Sequence, residues 1–376
     1  MSKIRVATII GTRPEIIRLS RVIPKLDKHF THTLVHSGQN YDYELNEIFF
    51  EDLSIRKPDF FLDAVGENSS QTIAKVIEKS DLFFSESPQD AVLILGDTNS
   101  ALSAIAAKRR KIPIFHMEAG NRSFDQRIPE EINRKIVDHI SDINLPYTRI
   151  AREYLIAEGI RPDQIIKTGS PLDEVINYYR KNIESSNILS ELGLFEDKFF
   201  LLSSHREENI DTKNFDKLIN LIERLITEFK IPILISTHPR TRKNIEHKNI
   251  KLPELAIMHK PLSFSDYSKL QTTAKVVLSD SGSVTEESSI LNFPALNIRE
   301  AHERPEGFEE GAVMMTGLEV DKVLEGIEIL SDQPKGEKRL LNVVTDYLSP
   351  NLSDKIVRII LSHIDFINQR VWKKDI

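Results

Sequence analysis

The chain has no cysteine. That excludes disulfides, thiolate zinc sites and a thiol nucleophile, and it fits a reducing cytoplasm. Basic charge is short as well: 50 Lys and Arg stand against 57 Asp and Glu, for a net charge of −7. Neutralising phosphates along a nucleic acid needs a basic surface, so no nucleic-acid partner is expected. No apolar run approaches the ~20 residues of a membrane span. The opening MSKIRVATIIGTRPE reaches a Gly-Thr-Arg turn too early to form a signal-peptide core. Short repeats and low-complexity tracts are missing too. The expectation is a globular cytoplasmic protein without a membrane partner, and 376 residues suggest two domains.

What is present is alternation. Short apolar runs, read as strands, fall at 4–10, 33–36, 91–95, 112–117 and 143–145 in the first half. The second half repeats the scheme at 199–203, 233–236, 256–258, 276–279 and 295–298. Helical periodicity separates them, at 15–26, 70–84, 100–109, 214–229, 265–272 and 284–291. Strands alternating with helices give α/β architecture with parallel sheets, so the expected fold is two doubly wound domains. Lys167–Val175, KTGSPLDEV, interrupts the pattern. It divides the chain into an N-terminal domain, 1–168, and a C-terminal domain, 169–352. The tail beyond 353 reads as an amphipathic helix with Ile356, Ile360, Ile364, Ile367 and Val371 on one face, expected to pack back on the first domain. Doubly wound sheets bind ligands beyond the carboxyl ends of their strands, so functional residues belong just after strands.

Several charged motifs stand there. GTRPEIIR lacks the Gly-x-Gly-x-x-Gly fingerprint, and the second strand ends in LVHSGQN without an acid, so NAD is not supported. Arg13 and Arg18 suit a phosphate or another anion, or are ordinary surface arginines of a βα turn. Asp97 follows the 91–95 strand, as a helix N-cap or as a functional carboxylate. His116 and Glu118 close the next strand. Glu130 follows Pro129, where the helix dipole favours an acid whatever its function. In the second half, HREEN places His205 after a strand, and THPR places His238 and Arg240 after the next. The histidines are not at zinc spacing, so no metal and no cofactor is expected. Ser281-Gly282-Ser283 opens a helix whose free N–H groups can cradle a diphosphate, with Glu287 in reach of a ribose diol and Arg304 beyond the next strand.

Taken in order, GTRPE, GDT, HMEAGNRS, PEEINR, HREEN, THPR, DSGSVTEE and ERPEG resemble the non-hydrolysing UDP-N-acetylglucosamine 2-epimerase family over essentially the whole chain. The resemblance implies two Rossmann-like domains around a nucleotide-sugar cleft, as in GT-B glycosyltransferases, and a homodimer. It implies acid–base residues at Asp97, Glu118, Glu130 and His205. UDP contacts are implied at Arg13, Arg18, Tyr267, Ser281, Gly282, Glu287 and Arg304. The implied reaction eliminates UDP across C1–C2 of the sugar and adds it back with C2 inverted.

Departures from the family pattern are Ser283 for a second Gly, Asn121 for Leu, Asn40 for His, and a segment between Glu118 and Glu130 about two residues shorter. With SGQNYDY and DSGSVTEES they make the chain look most like the branch that converts UDP-2-acetamido-2,6-dideoxy-L-talose to UDP-N-acetyl-L-fucosamine for capsule or O-antigen synthesis. UDP-N-acetylglucosamine 2-epimerisation is the alternative substrate reading. A hydrolysing epimerase, a GT-B glycosyltransferase and a non-catalytic nucleotide-sugar sensor are the rival functions.

Overall fold

The computed structural model describes residues 3–38, 47–204, 214–237, 245, 250–299 and 303–375. The chain divides into two compact units, 1–178 with 346–376, and 179–345.

The first unit holds a six-stranded sheet: β1 (Arg5–Ile10), β2 (Thr31–His36), β3 (Phe60–Phe61), β4 (Ala91–Leu95), β5 (Ile114–Met117) and β6 (Ile143–Leu145). Their order is β3-β2-β1-β4-β5-β6 and every pairing is parallel. Buried parallel strands read as continuous apolar runs, and AVLIL of β4 is buried at all five positions. The second unit repeats the order with β7 (Phe200–Ser204), β8 (Ile233–Thr237), β9 (Ala256–His259), β10 (Val276–Ser279), β11 (Ala295–Asn297) and β12 (Met314–Met315), arranged β12-β11-β10-β7-β8-β9 and again parallel. Both sheets are therefore doubly wound in the Rossmann manner, and the chain reverses direction between β1 and β4 in one and between β7 and β10 in the other. Those two switch points are where such sheets bind ligands.

Two departures from the expected elements have local causes. The helix expected at 15–26 is two helices, Arg13–Leu19 and Val22–His29. Pro24 forces the break: in a continuous helix it would offer no N–H to Ser20 and its ring would clash there, whereas near the start of a new helix it is tolerated. β3 and β12 were not expected, because two-residue edge strands are too short to show any periodicity.

The terminal helix, Leu352–Arg370, buries Ile356, Ile360, Ile364 and Ile367, while Val371 lies past its end and is exposed. Within the first unit it is tied down by Lys25 to Asp354 at 2.7 Å and by the Ser353 backbone N–H donating to Glu174 at 2.8 Å. No described helix is long and apolar enough to cross a membrane.

Candidate active site

At the switch point of the first sheet, β1 runs into Gly11 and Thr12 and then the 13–19 helix. Gly11 is required by space: a Cβ there would collide with the hydroxyls of Ser37, after β2, and Ser100, after β4. Arg13 is half-buried with its guanidinium 5.9 Å from the Phe49 ring centre. Arg18, one turn or so later, is buried and faces an internal anion, with Nε 3.5 Å from Glu118 Oε2.

Asp97 follows β4 across Gly96, whose φ of +75° suits glycine. The capping reading fails. Thr98 is the N-cap of the short 3₁₀ turn Asn99–Leu102, and the Asp97 carboxylate accepts from Nε (3.0 Å) and Nη2 of Arg134. Arg134 lies on the Pro129–Ile140 helix and also donates to Glu131 at 3.0 Å.

Glu118 sits just past β5 with φ +64°, a left-handed conformation that costs a non-glycine residue roughly 1–3 kcal/mol and gathers at functional sites. Besides Arg18, its carboxylate accepts from Asn121 Nδ2 at 3.2 Å. The adjacent acids Glu130 and Glu131 part company. Glu131 is fully buried and accepts from the Ser123 N–H and hydroxyl and the Phe124 N–H, which closes the loop it faces. Glu130 is half-buried in the first helical turn and makes no hydrogen bond or ion pair among the described residues.

Beneath these groups lies a sealed ionic network. His116 is wholly buried, with Nδ1 2.9 Å from Asp138 and Nε2 2.8 Å from the Gly96 carbonyl. Both ring nitrogens face acceptors, so the ring carries both protons. Burial pulls His116 toward neutrality, but the hydrogen bond and charge of Asp138 outweigh it and hold the imidazolium above its ordinary range. Asp138 also opposes its own burial by pairing with His116 and Arg122, and is held below the usual carboxylate range. It accepts from Arg122 Nη1 at 2.7 Å and from the Gly120 N–H; Arg122 in turn is paired to Glu158. The network thus pins Gly96 before Asp97 and the Gly120–Arg122 turn after Glu118. His116 itself is a support, not a substrate contact.

Glu15 is a second buried acid, lodged between the two switch-point loops. It accepts from the Gly11 and Thr12 N–H groups and from Thr98 Oγ1 at 2.6 Å. Burial, only partly offset by those hydrogen bonds, pushes its carboxyl up to about 7. A carboxyl raised on folding stabilises the fold below the unfolded value, 4.5, and that contribution is lost as pH rises through about 7. At 1.36 kcal/mol per unit, about 3 kcal/mol should be lost across this window. Chemical denaturation between pH 4.5 and 8 should show a decline larger by about that amount in the wild type than in Glu15→Gln, whose amide can serve the same partners.

At the switch point of the second sheet, Gly282 is the N-cap of the Ser283–Leu291 helix. Ser281 and Ser283 hydroxyls lie 2.9 Å apart, and among the described residues the space where a Gly282 side chain would stand has Glu303 Oε2 in ordinary contact at 3.5 Å. Glu287 is half-buried and accepts from the side chain of Gln271, itself buried. Tyr267 is half-buried one turn before Gln271 on the Phe264–Thr273 helix, hence on the same face. Arg304 is buried against the fully buried Glu286 at 2.7 Å. His205, His238, Arg240 and Asn40 lie outside the described residues.

Glu15, Arg134, Gln271 and Glu286 are the groups that sequence reasoning passed over. PEEINR and TEE carried two of them, Arg134 and Glu286, in plain view; only partner geometry separates the structural acid of each Glu-Glu pair from its neighbour.

A sequence profile of the family described as UDP-N-acetylglucosamine 2-epimerase matches residues 24–361. Among solved structures, the UDP-N-acetylglucosamine 2-epimerase from Rickettsia bellii is 49% identical, covers 99% of this chain and 100% of its own, and gives a TM-score of 0.91. The UDP-GlcNAc 2-epimerase of Methanocaldococcus jannaschii, solved with UDP-GlcNAc and UDP, is 31% identical over 96% of this chain and 100% of its own, with a TM-score of 0.89. The UDP-2,3-diacetamido-2,3-dideoxy-D-glucuronate 2-epimerase of Pseudomonas aeruginosa is 35% identical over 331 residues, 85% of this chain and 90% of that protein. The fold class is GT-B-like, with two Rossmann-like domains.

Proposed function

Since the chain belongs to the UDP-N-acetylglucosamine 2-epimerase family and is a UDP-sugar 2-epimerase, an isomerase, we propose that it converts UDP-2-acetamido-2,6-dideoxy-L-talose to UDP-N-acetyl-L-fucosamine. It would act as a cytoplasmic homodimer serving capsule or O-antigen synthesis. The observation that carries the catalytic part is the set of acids beyond β4 and β5: Asp97 on Arg134, Glu118 on Arg18 and Asn121, and the unpartnered Glu130 among the described residues.

The C2–H bond of such a sugar is not acidified by a carbonyl. One carboxylate takes the C2 proton, the C1–O bond to UDP breaks with its electrons, and a C1=C2 bond forms, giving a 2-acetamidoglycal. UDP then re-adds at C1 while an acid on the opposite face returns a proton to C2. Asp97, Glu118 and Glu130 share the proton transfers, with His205 near the diphosphate. Arg13, Arg18, Tyr267, Ser281, Gly282, Glu287 and Arg304 are assigned to UDP. The open helix start at Gly282 suits the departing diphosphate, as does Arg304, whose charge is shared with Glu286.

The sugar is read from Asn121 beside Glu118 and from the shortened segment that follows. A second reading, UDP-N-acetylglucosamine, is favoured by the names of the Rickettsia bellii and Methanocaldococcus jannaschii proteins. Assaying both UDP-sugars side by side by proton NMR decides between them. The proposed sugar should turn over with at least tenfold higher kcat/KM; the reverse ratio assigns the chain to N-acetylglucosamine. An absolute need for an acceptor, or release of free sugar, would mean a transferase or hydrolase.

A further inference from the structure

We infer that Asn133 is a positioning residue for Asp97: its buried side-chain amide holds the main-chain carbonyl of Asp97, while Arg134, next to it on the same helix, holds the carboxylate. The inference rests on the proton-transfer role given above to Asp97, and gives a function to a side chain that this role leaves unused.

Three observations carry it. First, the contact is direct and runs from side chain to main chain. Asn133 is buried, and its Nδ2 donates to the Asp97 carbonyl oxygen at 3.0 Å and to Asn99 Oδ1 at 3.2 Å. A main-chain carbonyl only accepts, so the amide nitrogen is the atom that faces it, and each of its two hydrogens has an acceptor. Second, the chain is otherwise loose at this point. Gly96 stands just before Asp97 with φ +75°, and a Cβ at Gly96 would meet no described atom within 4 Å. A glycine in open space leaves the orientation of the following peptide weakly restrained. His116 holds the Gly96 carbonyl at 2.8 Å and Asn133 holds the Asp97 carbonyl, so both peptides that bracket the Asp97 Cα are fixed from the side. Third, the main-chain hold and the carboxylate hold come from consecutive residues of the 129–140 helix. The Asp97 carboxylate accepts from Arg134 Nε at 3.0 Å and from its Nη2. A shift of the Asp97 main chain carries the Cα–Cβ bond along and takes the carboxylate off the guanidinium.

The helix itself does not depend on Asn133. Val137 lies in the core of the first unit, Asp138 is paired to His116 and Arg122, and Glu131 is paired to Arg134. Removing the amide is therefore a local change. A displacement of about 1 Å at a reacting group can cost on the order of 10²-fold in rate. Leucine at this position keeps the branched shape and removes both donated hydrogen bonds.

The test is a double-mutant cycle in the full-length enzyme: Asn133→Leu, Asp97→Asn and the two together, with kcat and KM for the better of the two UDP-sugars and UDP affinity by calorimetry. Asn133→Leu should lower kcat by about 10–100-fold, with KM and UDP affinity within about threefold of wild type. In the Asp97→Asn background the same substitution should lower kcat by less than about threefold, because no carboxylate is left to place. A group that only stabilises the fold would lower kcat by the same factor in both backgrounds. That outcome, or a folded Asn133→Leu with wild-type turnover, would overturn the inference. Asn133→Ser, whose hydroxyl stops short of both acceptors, decides the matter if the leucine variant does not fold. Near-normal turnover in Asp97→Asn would instead defeat the role given to Asp97. A crystal structure of Asn133→Leu needs no turnover and reads the positioning by itself: the Asp97 carbonyl should move by about 1 Å or more. Asp97 in its wild-type place would overturn the inference even if the enzyme accepted neither sugar.

Discussion

Replacing Glu118 by Gln or Asp97 by Asn is expected to lower kcat by about 10²–10⁴-fold, the range for losing a positioned proton-transfer group. Both substitutions keep side-chain shape. Glu118→Gln removes the carboxylate charge 3.5 Å from Arg18 and can put an amide N–H where a proton must be accepted. Asp97→Asn breaks the ion pair to Arg134, but Arg134 retains Glu131, so the 129–140 helix should stay docked. The residues assigned to the diphosphate and ribose on the second sheet are untouched, so UDP affinity by calorimetry should change by less than threefold. Turnover near the wild-type rate in either variant would remove that residue from the proposed chemistry. Loss of UDP binding together with turnover would instead mark it as a binding group.

A comparably large effect, on stability, is expected from Asp138→Asn. Asp138 is the anion shared by His116 and Arg122, all of them buried. Removing one member of a buried ionic set strands the others, at a cost of about 3–5 kcal/mol. Arg122 keeps Glu158, so the stranded charge is chiefly His116. A histidine held protonated by folding contributes stability that is complete below its unfolded value and is lost as pH rises through its raised folded value. The wild type should thus lose this contribution on the alkaline side of the ordinary histidine range, and Asp138→Asn should lack it already in mildly acid solution. Thermal melting of the two proteins across pH 5.5 to 8.5 measures both effects. Equal melting temperatures throughout would contradict the network described here.

The same residues show which features can be read from a sequence. β4, β6 and β10 follow the expected 91–95, 143–145 and 276–279 residue for residue, because buried parallel strands are largely apolar and these end abruptly before Gly96, Pro146 and Asp280. The helix at 214–229 matches for the complementary reason, an apolar stripe at helical spacing that buries Phe215, Leu218, Leu221, Ile222 and Leu225. Periodicity says nothing about partner choice, and that is where the reading stopped. Arg122 and Arg134 look like surface charges in HMEAGNRSFDQRIPEEINR, yet both are buried and paired to acids. Nothing local distinguishes Glu130 from Glu131; the distinction comes from which of them the 122–124 loop folds onto. Asp97 resembled a helix cap because its true partner is 37 positions away in sequence. Glu15 opens the helix expected at 15–26, and its burial between two loops is a property of the sheet order, which brings β1 beside β4 and which periodicity does not carry.

The measurement that bears most directly on the proposed chemistry is the fate of the C2 hydrogen. The reaction should be run to equilibrium in D₂O with UDP-2-acetamido-2,6-dideoxy-L-talose and with UDP-N-acetylglucosamine, without added nicotinamide cofactor or metal. Elimination and re-addition of UDP predicts that the epimerised product of whichever sugar is accepted carries deuterium at C2, visible as loss of the C2 proton signal and a one-unit mass increase. An epimerised product that retains its original hydrogen at C2 would contradict the mechanism outright.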